Sequence, residues 1–342
     1  MGPMPLSWRS RSACANATIV RNAKWFTRRF VALATSAILS IGMPAGARAD
    51  GAPATFHAPP WSVRDPQQFD FTVPGLDDVP DLHGSPSDAD LVIFAAGNQF
   101  MVMPDLIRAF RAAHPEIHRI FYETLPPGIE ARQLERGSIE FGNLIIDVRP
   151  DVLMSGLRRM KIEQRAGIVA DYTAYATNQL AIMVPAGNPK HVASLVDLGR
   201  DDVRVSMPNP AWEGVAMQIE ASYVKAGGDS LDAKIMKTKV AAGSTILTHI
   251  HHRETALNLL GGKADAGPVW LSEALYQKKI GNPIDYVAIP AAQNATAIYV
   301  DAIVRDAPHA AAARAFYDFV SSPAAAAIYR SYGFTPPPSK GS

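Results

Sequence analysis

The stretch LVIFAAGNQFMVMPDLIRAFRAAHPEI, residues 91–117, decides the fold. The segment 90–95 opens with Asp90 and continues as a short unbroken apolar run, as expected of a parallel strand buried on both faces. From 99 to 113 the apolar residues recur at helical spacing, so the strand passes through Ala96-Gly97-Asn98 directly into a helix. The pattern then repeats. Residues 119–125 read as a second strand, 129–135 as a helix after Pro126-Pro127-Gly128, and 150–154 as a third strand. Such alternation predicts a parallel, doubly wound α/β sheet.

Further along, 172–184 (YTAYATNQLAIMV) is a long apolar strand stopped by Pro185-Ala186-Gly187-Asn188-Pro189. A second α/β unit follows, with strands predicted at 202–206, 245–249 and 264–270 and helices at 212–226 and 253–260. Residues 284–289 and 297–304 run back, and two alanine-rich helices, 308–320 and 323–332, end the chain. The economical organisation is two similar lobes joined by two crossings: 89–184 plus 285–342, and 185–284. Ahead of them, 50–88 is rich in Pro, Asp and Gly, with no sustained period, and reads as an extended arm.

The 342 residues carry 33 Lys+Arg against 32 Asp+Glu, a formal charge of +1. That balance is uneven along the chain. Residues 1–49 hold seven basic side chains and no acid, leaving the rest at −6. An acidic body lacks the electrostatic footprint of nucleic-acid binding. The basic start, an apolar stretch over 30–41 and Ala47-Arg48-Ala49 predict a signal peptide cleaved near Ala49 and a periplasmic protein. Thr27-Arg28-Arg29-Phe30 is a partial twin-arginine signature, so Sec and twin-arginine export both stay open. The single cysteine, Cys14, would be lost on cleavage, which excludes disulfides, thiol nucleophiles and iron–sulfur clusters in the mature chain.

No G-x-S-x-G elbow, P-loop or G-x-G-x-x-G is present, so the chain is expected not to be an enzyme and to need no cofactor. Strands run straight into turns and helix starts at Gly97-Asn98-Gln99, Pro127-Gly128-Ile129, Trp212-Glu213-Gly214 and His252-Arg253-Glu254. Each start exposes unpaired N–H groups and the positive end of a helix dipole, which suits an anion. In a doubly wound sheet these turns lie at the carboxyl ends of strands, where ligands bind. The predicted ligand-binding set is therefore Asn98, Gln99, Thr124, Gly128, Trp212, Glu213, His251, His252, Arg253 and Trp270. His249, His251, His252 and Glu254 offer an alternative metal site, although their spacing is not that of the zinc hydrolases.

Four stretches, LVIFAAGNQFMVMPDLIRAFRAAHPEI, YATNQLAIMVPAGNPKHVASLVDL, GGKADAGPVWLSEA and AARAFYDFVSSPAAAAIYRSYGF, together resemble the molybdate-binding proteins of ABC transporters. These belong to the type II periplasmic binding proteins, and the resemblance covers about 90–334. It implies an α/β fold of two doubly wound lobes joined by two crossover strands, with a ligand enclosed by hinge closure. It also implies capture of a molybdate- or tungstate-type oxyanion and delivery to an inner-membrane ABC permease, by a monomer. The family's ligand serines are replaced by Ala96-Gly97-Asn98 and Leu125-Pro126-Pro127-Gly128. Its Pro-Ala-Gly turn is matched by Ala211-Trp212-Glu213-Gly214 and its tyrosine by Trp270. Glu213 would set a negative charge beside a bound dianion. A binder of a divalent metal or small organic ligand, and a periplasmic enzyme or accessory protein on the same fold, are the competing expectations.

Overall fold

A computed structural model describes residues 82–125, 127–141, 144–211, 213–248 and 253–337; the predicted leader and most of the arm lie outside them. A two-residue strand, β1 (Leu82–His83), precedes β2 (Leu91–Ala96), all six of whose residues are buried. A 3-10 turn, Gly97–Gln99, leads into α1 (Met103–Ala113). The helix thus begins later than its apolar spacing predicts. Pro104 accounts for this, since proline fits the first turn, where its missing N–H has no helical partner to lose. Then come β3 (Ile120–Leu125), α2 (Pro127–Arg136), a hairpin of β4 (Ser138–Phe141) and β5 (Leu144–Asp147), β6 (Val152–Gly156) and α3 (Leu157–Arg165). Neither the hairpin nor α3 is foreseen by the sequence reading. In α3 (LRRMKIEQR) the buried positions are Met160 and Glu163, so no apolar stripe marks the helix.

The 13-residue strand β7 (Thr173–Pro185) follows. After it the chain forms β8 (Val205–Met207), α4 (Gly214–Ala233), a π turn Lys234–Thr238, α5 (Lys239–Ala241), β9 (Thr245–Leu247), α6 (Glu254–Leu260) and β10 (Gly267–Trp270). It closes with α7 (Leu271–Lys279), β11 (Ile284–Ala288), β12 (Thr296–Ile303), α8 (Ala310–Val320) and α9 (Pro323–Ser331). The predicted stop at Gly227-Gly228 is a kink instead of an end: Gly228 turns to φ 72° and the helix resumes.

β2 lies parallel between β3 and β6, while β1 pairs antiparallel with β3. The sheet order is β1-β3-β2-β6-β12-β7-β10, with β11 also on β7. Two segments of β7 serve different partners. Thr173–Gln179 pairs antiparallel with β12, and Leu180–Pro185 with β10 and β11. The partner switch falls between Gln179 and Leu180, and this is the first crossing. The chain from β11 to β12 makes the second.

Period-two alternation feeds two cores. Leu91, Ile93 and Ala95 join one cluster with Leu106, Phe110 and Phe316; Val92 and Phe94 join another with Phe121, Leu153 and Met160. The first cluster continues through Leu180 and Ile182 to Val205, Ile219 and Tyr223. Buried Asp151 ties β2 to the chain before α8. Its Oδ2 accepts from Val92 N at 2.8 Å and its Oδ1 from His309 N at 2.7 Å. Among the described residues no helix is long and apolar enough to cross a membrane.

Candidate ligand-binding cleft

Five element ends converge on one cleft of about 580 Å³. Ala96, Gly97 and Asn98 continue β2; Pro127 and Gly128 open α2; Gly156 ends β6 and precedes α3. Glu213 and Gly214 stand at the start of α4, and Trp270 at the junction of β10 and α7. The chain entering β12 completes the wall with Ala295, Thr296, Ala297 and Tyr299.

Three charged side chains lie on this wall: Arg158, Arg159 and Glu213. Arg159 Nε is held 2.6 Å from the Glu163 carboxylate one turn along α3, and that carboxylate is almost wholly buried. Arg158 Nη1 sits 3.1 Å from Met217 Sδ, so the guanidinium reaches from α3 to α4. Glu213 is buried at the N-cap of α4, where its Oε1 accepts from Asn209 N at 3.2 Å and from the Thr248 hydroxyl. Asn98 Nδ2 donates to the Tyr299 hydroxyl, and burial pushes that phenol's pKa above its ordinary value. Trp270 meets Tyr299 edge-on at 6.3 Å.

Behind the cleft, α2 and α3 cover a group of buried carboxyls. Burial pushes Glu123 well above the usual carboxylate range, opposed by a hydrogen bond from Gln133. Burial does the same to Glu130 in the first turn of α2, helped by Glu123 and Glu163 and opposed by the charge of Arg159. Arg159 therefore faces solvent in the cleft on one side and acids on the other.

Of the sequence-predicted set, Asn98, Gly128, Glu213 and Trp270 are brought together on the wall. Gln99 and Thr124 are fully buried and do not line it. Gln99 is the last residue of the 3-10 turn that the sequence reading takes for helix. Arg253 is also off the wall: it is buried, with its guanidinium 4.3 Å from the centre of the Phe100 ring. Trp212, His249, His251 and His252 lie outside the described residues. Among the described residues no three His, Cys, Asp or Glu side chains are placed to hold a metal ion. Sequence reasoning missed Arg158, Arg159 and Ile162 on α3, Met217 and Gln218 on α4, and the approach to β12. The signal for the first group is Ser155-Gly156-Leu157, a strand-to-helix turn like those it recognised.

A family model described as bacterial extracellular solute-binding protein matches residues 91–335. A relative from Mycobacterium tuberculosis, the molybdate-binding protein ModA, is 26% identical over 251 residues, 72% of this chain and 85% of its own. The sulfate-binding protein SubI from the same organism superposes with a TM-score of 0.57 at 23% identity, over 72% of this chain and 85% of that one. The periplasmic molybdate-binding protein of Azotobacter vinelandii gives 0.58 at 17% identity, over 72% and 99%. These likenesses agree with the mixed α/β architecture and its shared, twice-crossed sheet.

Proposed function

The chain belongs to the bacterial extracellular solute-binding proteins, and from that premise we propose that it captures a small anion in the cleft and delivers it to an ABC permease. The observation that carries this reading is the meeting of Arg158 and Arg159 with the starts of α2 and α3 on one wall. Two guanidiniums and the positive ends of two helix dipoles border the same space, which favours negative charge there. The names of the mycobacterial relative and of the two structural neighbours, which bind molybdate and sulfate, support an anion and make molybdate or tungstate the narrowest candidates.

Capture works by closure. The lobes, 89–184 plus 285–342 and 185–284, rotate about the point where β7 exchanges partners, bringing α3 and α4 together over the ligand. The protein acts as a monomer in the periplasm, after removal of 1–49. Two alternatives stand from the sequence: a binder of a divalent metal or small organic ligand using the 249–254 cluster, and a periplasmic enzyme or accessory protein on the same fold.

Thermal unfolding of the purified protein against inorganic oxyanions, organic acids, neutral solutes and divalent cations tests the reading. An anion present at 100 times its dissociation constant should stabilise the protein by about 2.7 kcal/mol. Stabilisation by neutral solutes or divalent cations, with none by any anion, contradicts it.

A further inference from the structure

The wall is unequal, and its inequality bears on the ligand. Among the described wall residues positive charge is confined to α3, whereas the α4 side presents Glu213 and then Val215, Met217 and Ala221. Glu213 is the N-cap residue of α4; its side chain makes no cap hydrogen bond and turns to Asn209 N and the Thr248 hydroxyl, yet its carboxylate still sets negative charge at that end and repels an anion. The anionic group is thereby directed to the side of α2 and α3. Met217 on α4 is 47% exposed and Ile162 on α3 is 39% exposed, two large apolar side chains on the same wall. Thr296 and Tyr299 carry the only hydroxyls among the described wall residues, and the Tyr299 oxygen is held by the Asn98 amide, from which it accepts.

A bare tetrahedral dianion has four oxygens to satisfy on every side once water is removed, and it has no apolar part. This wall gathers its cationic donors on α3 and presents Val215, Met217 and Ala221 together with a carboxylate along α4. Resting on the cleft as the binding site, we propose that the ligand is an organic anion: a carboxylate or phosphate ester head received by Arg158 and Arg159, on an apolar body that covers Met217, Ile162 and Ala221. Gln218 of α4 lines the same wall and adds a side-chain amide. Arg159 is the fixed member of the pair because Glu163 holds it from behind. Arg158 is the mobile one. It exchanges its contact with Met217 for the ligand's head, which frees the thioether to pack on the ligand's body.

Titration calorimetry of the purified protein with benzoate, hexanoate and phenyl phosphate, beside benzamide, molybdate, tungstate and sulfate, tests the proposal. At least one of the three organic anions is expected to bind at least tenfold more tightly than every inorganic oxyanion, and benzamide at least tenfold more weakly than benzoate. Arg158→Gln should weaken that organic anion tenfold or more while leaving the unfolding midpoint unchanged. Arg159→Lys, which keeps the charge opposite Glu163, should weaken it less. Preferential binding of molybdate, tungstate or sulfate overturns the organic ligand and leaves anion capture standing. Binding of benzamide equal to benzoate, with no oxyanion bound, overturns anion capture as well. Tight organic binding unaffected by Arg158→Gln overturns the assignment of the head group to α3.

Discussion

Asn294 shows how much one side chain does at the crossing. Its Oδ1 accepts from Leu180 N at 2.9 Å and its Nδ2 donates to Leu180 O at 2.9 Å, while Lys225 of α4 donates to its backbone carbonyl at 2.8 Å. Leu180 is where β7 changes partners, and Ala295 next door begins the cleft wall. Asn294→Ala leaves the buried N–H and C=O of Leu180 unpaired, so a loss of about 1–3 kcal/mol is expected in denaturant unfolding. An unchanged midpoint would show that the crossing is held by its apolar neighbours alone. Nothing in the sequence marks Asn294, because its partner is 114 residues away. Asn98 and Trp270 were legible for the opposite reason: each stands at a strand-to-helix turn that local pattern reveals. Gln99 and Arg253 were misplaced at the same turns, since pattern locates the turn but not which side chains face outward.

At the scale of elements, α2 and α3 combine two roles, lining the cleft and burying acids. A carboxyl whose folded pKa is raised holds its proton longer in the native state than in the unfolded chain. Its contribution is complete below the unfolded value, about 4.3 for Glu, and disappears as pH rises through the folded one. Glu123 and Glu130 should therefore make the protein less stable as pH increases from about 4.3 upward. Asp90 acts in the opposite window: Arg119, at 2.6 Å, lowers it to about 2, so its contribution is lost only as pH falls through that value. Glu130→Gln is expected to flatten the decline of melting temperature above pH 5 without altering the acid limb. An identical pH profile in wild type and variant would exclude Glu130 as its source. The sequence reveals the β2, β3 and β7 strands because each carries a run dominated by apolar residues that is largely buried, although Glu123 and Thr124 interrupt β3 and Thr177, Asn178 and exposed Gln179 interrupt β7. It hides α3, whose inward positions include Glu163 and whose outward ones include both cleft arginines. The element that matters most to the proposed ligand is thus the one with the weakest pattern.

On the scale of the whole molecule, the shared sheet sets the mechanics. One core cluster runs from Phe110 and Phe316 through Leu180 to Tyr223, so the parts on either side of the crossing are joined by packing as well as by two strands. In the proposed capture, motion is confined to the short region around Leu180 and Asn294, and the cleft closes as a unit. This architecture was legible from strand order alone, because two long apolar crossings between α/β units leave few other topologies. The lining was not, because it is assembled from five separated turns whose mutual placement only the folded chain supplies. The most direct test of the account is peptide-resolved hydrogen exchange with and without the anion that stabilises the protein most. Slowed exchange is expected at the turn after β2, at the starts of α2, α3 and α4 and in β12, with little change in the β4–β5 hairpin. Protection confined to the hairpin, or to α8 and α9, would contradict ligand capture in the cleft.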